Sequence, residues 1–115
     1  MKEVKLEDLR QELDNDKDKL LIGVILYAKD CQNCDVFLNH VTALEEQYPN
    51  YKFWKCEVVD DLPLFAPAVL PYIAIFFNGV RVYEGLGDPG EAAFRQSLGW
   101  WEDRWQVITN SNPAE

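Results

Sequence analysis

The stretch Leu20-Leu21-Ile22-Gly23-Val24-Ile25-Leu26-Tyr27 is apolar at almost every position. A run of this length without alternation predicts a strand covered on both faces, as at the centre of a parallel sheet. Ahead of it, Lys2 to Leu6 reads as a short first strand. Leu6, Leu9 and Leu13 recur at helical spacing with acids in the first turn, which predicts a helix over Leu6 to Leu13. Asp14 to Lys19 is a charged turn. Beyond the central strand, Cys34, Phe37, Leu38, Val41, Leu44 and Tyr48 fall on one stripe of a second helix, ended by Pro49-Asn50. Tyr51 to Val59 reads as the next strand. Asp60 to Leu70 carries Pro63 and Pro67 and leaves room for a short helical turn at most. Pro71 to Phe77 is a further strand, and Asn78-Gly79 is a strong hairpin signal leading into Val80 to Glu84. That last strand alternates more cleanly and reads as an edge. Asp88-Pro89 opens a final helix whose apolar stripe is Phe94, Leu98, Trp101 and Trp105, with Trp100 off the stripe.

Helices alternating with strands, followed by a hairpin, predict an α/β fold with a central mixed sheet and helices on both faces. One domain over residues 1–108 and a polar, frayed tail over 109–115 account for the 115 residues.

Charge narrows the partners. The chain has 20 Asp+Glu against 11 Lys+Arg, a net charge of −9, so no basic footprint exists for nucleic acid. No apolar run approaches the roughly 20 residues of a membrane helix. The first 19 residues hold seven acids and five bases, which is not the pattern of a secretory signal. A cytoplasmic protein is the expectation. The runs Asp14-Asn15-Asp16 and Asp60-Asp61 read as solvated turns, since no ligand series of a calcium loop follows them.

Three cysteines are too few for a disulfide scaffold. Two of them form Cys31-Gln32-Asn33-Cys34 where the central strand gives way to a helix. At a helix N-terminus the free N–H groups and the macrodipole favour a thiolate at the first cysteine. The second lies one turn on, close enough to close a disulfide. Attack by Cys31 would give a mixed disulfide that Cys34 resolves, a two-electron carrier needing no other cofactor. The alternatives are half of a zinc site or two inert thiols. Zinc asks for four ligands, and beyond the pair only Cys56 and His40 remain as Cys or His. Cys56 points to the sheet face opposite Lys55 and reads as a buried structural thiol. His40 reads as a solvated helix position.

Taken together, Leu26 to Cys34, Lys55, Leu70-Pro71-Tyr72, Phe77-Asn78-Gly79 and Gly85 resemble the thioredoxin family, over about Val4 to Trp101. The resemblance implies a thioredoxin-like fold with a four- or five-stranded mixed sheet, here with a shortened third helix. It implies a cis peptide at Leu70-Pro71 facing the cysteine pair, with Leu70, Pro71 and Tyr72 as the substrate-docking edge. It implies a protein-disulfide reductase acting on disulfide-containing proteins, with electrons from a thioredoxin reductase or another dithiol donor, as a monomer or weak dimer.

The departures from the family pattern bear on chemistry. Asp30 stands where the family has Trp, and Gln32-Asn33 where it has Gly-Pro. A carboxylate beside Cys31 opposes ionisation of that thiol. The buried acid of the family is Ile25 here, so Lys55, its usual companion, is expected to sit by an apolar wall or to pair with Glu57. Asp30, Gln32, Asn33, Lys55 and Glu57 are therefore the supporting residues of the site. A competing reading is a non-catalytic binding module of the same fold, using its acidic surface or its Trp-rich last helix.

Overall fold

Every residue from Leu21 to Leu26 is buried, and the reason lies in what covers each side. In a computed structural model describing residues 1–58 and 70–110, these residues form β2 (Leu21–Tyr27), the middle of a five-stranded sheet. The sheet is completed by β1 (Lys2–Glu3), β3 (Tyr51–Glu57), β4 (Tyr72–Phe77) and β5 (Val80–Leu86), in the order β1-β3-β2-β4-β5. The first three run parallel to one another, while β4 is antiparallel to β2 and β5 to β4. Around the sheet lie α1 (Leu9–Asn15), α2 (Gln32–Leu44) and α3 (Glu91–Asn110). A 3-10 turn over Leu6–Asp8 leads into α1, and another over Glu45–Gln47 extends α2.

Successive side chains of β2 point to opposite faces, and each face has its own core. Leu21 and Ile25 join Phe37, Val41 and Leu44 of α2 and Phe94 and Leu98 of α3. Ile22, Val24 and Leu26 join Leu13 of α1 with Trp54 and Cys56 of β3. Two cores sandwiching one strand explain why the β2 sequence shows no alternation.

Gly23 sits within this run because Phe53 lies across it. A Cβ on Gly23 would meet Phe53 Cδ1 at 2.9 Å, and that ring is stacked on Tyr51 at 5.3 Å. The hairpin between β4 and β5 turns on Asn78 and Gly79, at φ +55° and +82°, the left-handed pair such a two-residue turn needs.

The element boundaries differ from the sequence reading in several places. The first strand ends at Glu3 rather than Leu6, and the helix read over Leu6 to Leu13 is a 3-10 turn followed by α1, which runs on to Asn15. The strand at 51–57 is described to Glu57, and Val59 lies outside the described residues, as does the segment 60–69 assigned to a shortened third helix. Strand β5 runs two residues beyond Glu84, so Gly85 is inside it, because a bulge between Ile75 and Phe76 shifts its register. Helix α3 continues through Thr109, whose hydroxyl donates to Trp105 O, to Asn110, and residues 111–115 of the expected tail lie outside the described residues. Among the described residues, no helix is long and apolar enough to cross a membrane.

Candidate active site

Strand β2 ends at Tyr27, and the chain turns through Lys29 and Asp30 into α2. Asp30 holds the left-handed conformation at φ +60°, which Asp tolerates better than bulkier residues. This turn delivers Cys31 to the N-cap of α2 in an extended conformation, and its sulfur accepts from the Cys34 N–H at 3.2 Å. Cys31 and Cys34 are disulfide-bonded, with 5.2 Å between their Cα atoms.

The two sulfurs differ in access. Cys34 is fully buried in the cluster of Leu26, Cys56 and Leu70, whereas Cys31 packs against the rim of that cluster and stays partly exposed. Gln32 and Asn33 project outward from the first turn of α2, exposed.

The strand opposite brings the second half of the site. Leu70 is buried in the same cluster as Cys34, and Tyr72 lies at its rim with Cys31. The Leu70–Pro71 peptide is cis. Pro71 O accepts from Gly87 N at 2.8 Å, which joins the end of β5 to this edge. Tyr72 donates its hydroxyl proton to Glu84 at 2.6 Å and accepts from Arg81 at 3.0 Å, and Arg81 pairs with Glu84 at 3.3 Å. Burial, with the Glu84 bond second, pushes the Tyr72 hydroxyl pKa up.

Leu86, opposite Tyr72 in register, is 65% exposed beside the Gly87–Pro71 bond. It escaped the sequence reading. Counting back from Asn78-Gly79 without a bulge sets Gly85 opposite Tyr72, and only the irregular register brings Leu86 there.

Of the two surroundings expected for Lys55, the apolar neighbour is present and the pairing with Glu57 is not. Ile25 is wholly buried and pairs in register with Lys55. Lys55 does not turn to Glu57. Its ammonium lies 5.7 Å from the centre of the Tyr27 ring, and Glu57 faces the Lys29 ammonium at 3.8 Å. The reason is competition. Tyr27 offers Lys55 an aromatic face on the neighbouring strand, and Lys29, just past the end of β2, reaches Glu57 first. The Tyr27 hydroxyl donates to Glu3 of β1, and burial together with that bond drives its pKa upward.

Cys56 lies on the other face of β3, wholly buried, and burial with the charge of Glu3 pushes its thiol up to about 12. His40, expected in solvent, is half-buried, and its Nδ1 is enclosed without a hydrogen-bond partner among the described residues. No group of three or more His, Cys, Asp or Glu side chains able to hold a metal occurs among the described residues.

No family model and no curated protein matches the chain. Solved structures do. Thioredoxin f2 of Chlamydomonas reinhardtii superposes with a TM-score of 0.73 at 14% identity, over 87% of this chain and 94% of that one. The thioredoxin of Fasciola hepatica gives 0.71 at 23% identity, over 86% and 97%. That of Plasmodium falciparum gives 0.71 at 19%, over 88% and 99%. The likeness spans nearly the whole chain, and at these identities it establishes architecture: the chain has the thioredoxin fold.

Proposed function

We propose that the chain is a thiol–disulfide oxidoreductase that reduces disulfides of protein substrates, with Cys31 as nucleophile and Cys34 as resolving thiol. The observation that carries this reading is the unequal exposure of a bonded pair at a helix N-terminus, Cys31 at the rim and Cys34 buried. In the reduced form, the Cys31 thiolate attacks one sulfur of the substrate disulfide and expels the other as a thiolate. Cys34 loses its proton and attacks Cys31 Sγ, which breaks the mixed disulfide and releases the second substrate thiol. The Cys31–Cys34 disulfide now holds the oxidation. A thioredoxin reductase or another dithiol donor returns two electrons and two protons, and no further cofactor is called for.

In this reading Leu70, Pro71 and Tyr72 form the edge on which the substrate chain lies, and exposed Leu86 widens it with an apolar contact. Asp30, Gln32 and Asn33 border the attacking sulfur. Ile25 offers no proton acceptor beneath Cys34, and Glu57 is engaged with Lys29, so the Cys34 proton leaves to water. Turnover is accordingly slow to moderate. A dithiol reductase belongs in a reducing compartment, which fits a cytoplasmic location.

The test is reduction of a model protein disulfide with a dithiol electron source. Cys31→Ser abolishes turnover. Cys34→Ser lowers it about a hundredfold or more and leaves substrate covalently attached at Cys31, visible by mass under non-reducing conditions. Full turnover by Cys34→Ser would sink the resolving role. The reduction potential of the pair is expected near the roughly −270 mV of thioredoxin, and a value above about −150 mV would make the protein an oxidant instead.

A further inference from the structure

The outward face of α3 breaks the pattern of the rest of the surface. Trp100, Val107 and Ile108 stand exposed at 46%, 66% and 56%, with Asp103 and Arg104 exposed between them. Their spacing puts all five on one side of the helix, with Ile108 bordering and the other four turned away from the stripe of Phe94, Leu98, Trp101 and Trp105 that packs on the core. Arg104 lays its guanidinium 3.4 Å from the centre of the Trp100 ring. Trp101 braces that ring edge-on at 4.5 Å. Neither Arg104 nor Asp103 has an ion-pair partner among the described residues. A held tryptophan, two exposed aliphatics and two unmatched opposite charges form a contact surface rather than a solvated face.

We propose that this face pairs with its own copy, α3 against α3, antiparallel, about a two-fold axis between Asp103 and Arg104. An isologous contact requires that residue i meet j and that j meet i. Centred there, Asp103 of each copy meets Arg104 of the other, and Trp100 meets Val107 with Ile108 beside it. Charge faces countercharge in the middle, and apolar groups face apolar groups at both ends. Other registers lose this match. A shift of one heptad toward the helix start sets Arg104 against Gln96 and Val107 against Ala93. A parallel pairing sets Asp103 against Asp103.

The pairing is weak. Two turns of helix offer well under the about 800 Å² per partner of a stable interface, and each copy brings a charge of −9. A dissociation constant between about 10 μM and 1 mM follows. The reactive pair stays open in both copies. Helix α3 starts near Gly87, which bonds Pro71, while Trp105 near its other end donates to Lys19 O ahead of β2. The paired face therefore lies toward the pole away from Cys31.

Sedimentation equilibrium of the full chain, from about 1 μM to 1 mM at about 0.15 M salt, tests this. The mass rises toward twice the monomer value. Val107→Glu and Arg104→Asp each raise the dissociation constant about tenfold or more. The double exchange Asp103→Arg with Arg104→Asp recovers part of the loss caused by Arg104→Asp alone, which a merely structural effect would not do. All three positions are exposed, and circular dichroism checks that the variants are folded. A chain that stays monomeric throughout overturns the proposal and leaves the face to a different protein. A dimer indifferent to Val107→Glu overturns it too, because it uses another surface.

Discussion

Two neighbouring strands set the surroundings of Lys55. On β2 the wholly buried Ile25 stands opposite it in register; on β1 its opposite is Glu3, which accepts from the Tyr27 hydroxyl, and the Lys55 ammonium lies over the ring of that tyrosine. The cysteine pair was legible in the sequence because everything that defines it is local: a strand end, a helix start and a spacing of three. The partner of Lys55 was not, since Tyr27 and Lys29 compete from another strand and a turn. One residue along β3, Cys56 faces the opposite way into an apolar core, and the same chemistry gives the opposite outcome. A thiol held up near 12 by burial is almost entirely protonated at pH 8. In the reduced, folded protein iodoacetamide at pH 8 is expected to alkylate Cys31 and to leave Cys56 untouched until denaturant is added; mass mapping of the alkylated peptides reads this. Gly23 is legible only with the fold in hand. Gly23→Ala drives a methyl to within 2.9 Å of the Phe53 ring. The ring is already stacked on Tyr51, so the clash costs about 1–3 kcal/mol by denaturant titration.

The turn between α1 and β2 shows what periodicity misses at the level of elements. Asp14-Asn15-Asp16 reads as solvated, yet the Asp16 side chain is only 9% exposed. Lys52 of β3 reaches both of its oxygens at 3.2 Å and Asp18 at 2.5 Å. Trp105 closes the same turn from the other side of the sheet by donating to Lys19 O at 2.8 Å. The turn is therefore a clamp joining β3 to α3, built from residues 34 or more apart in the chain. Such separations leave no trace in a local pattern. Lys52→Met removes the cation and leaves a largely buried carboxylate without its counterion. The expected loss is about 1–3 kcal/mol of unfolding free energy, with Lys52→Arg costing less, both measured by urea denaturation. The bulge in β5 is a second case. Alternation located the strand, but the one-residue slip that places Leu86 beside Pro71 depends on how β4 and β5 pair. Helices and strands were legible because burial on two faces of one sheet imposes period and length; the slips and clamps that finish the site were not.

Across the whole molecule, the displaced titrations point one way. Burial raises the Cys56 thiol from 9.0 to about 12. Burial also raises the hydroxyls of Tyr27 and Tyr51, and the latter donates to Leu98 O at 2.7 Å. Asp18 raises the Lys52 ammonium, against some loss from its own burial. Each group keeps its proton in the folded chain at a pH where the unfolded chain has released it. The folded state thus binds more protons on the alkaline side, and stability must fall as pH rises there. For Cys56 the contribution is complete below pH 9.0 and drains away toward about 12, by up to about 1.4 kcal/mol per pH unit. The tyrosines add to the slope above their ordinary value of 10.0. Growing negative charge on a chain already at −9 pushes in the same direction, so the slope of the native protein alone does not isolate the thiol. The difference between two proteins does. Urea denaturation of the reduced chain and of Cys56→Ala at pH 8, 9.5 and 11 is expected to show both losing stability, the variant less steeply. The gap between them opens from about pH 9 upward, and the tyrosines, common to both proteins, cancel from it. Equal slopes in that range would mean that the Cys56 thiol ionises as readily in the fold as outside it.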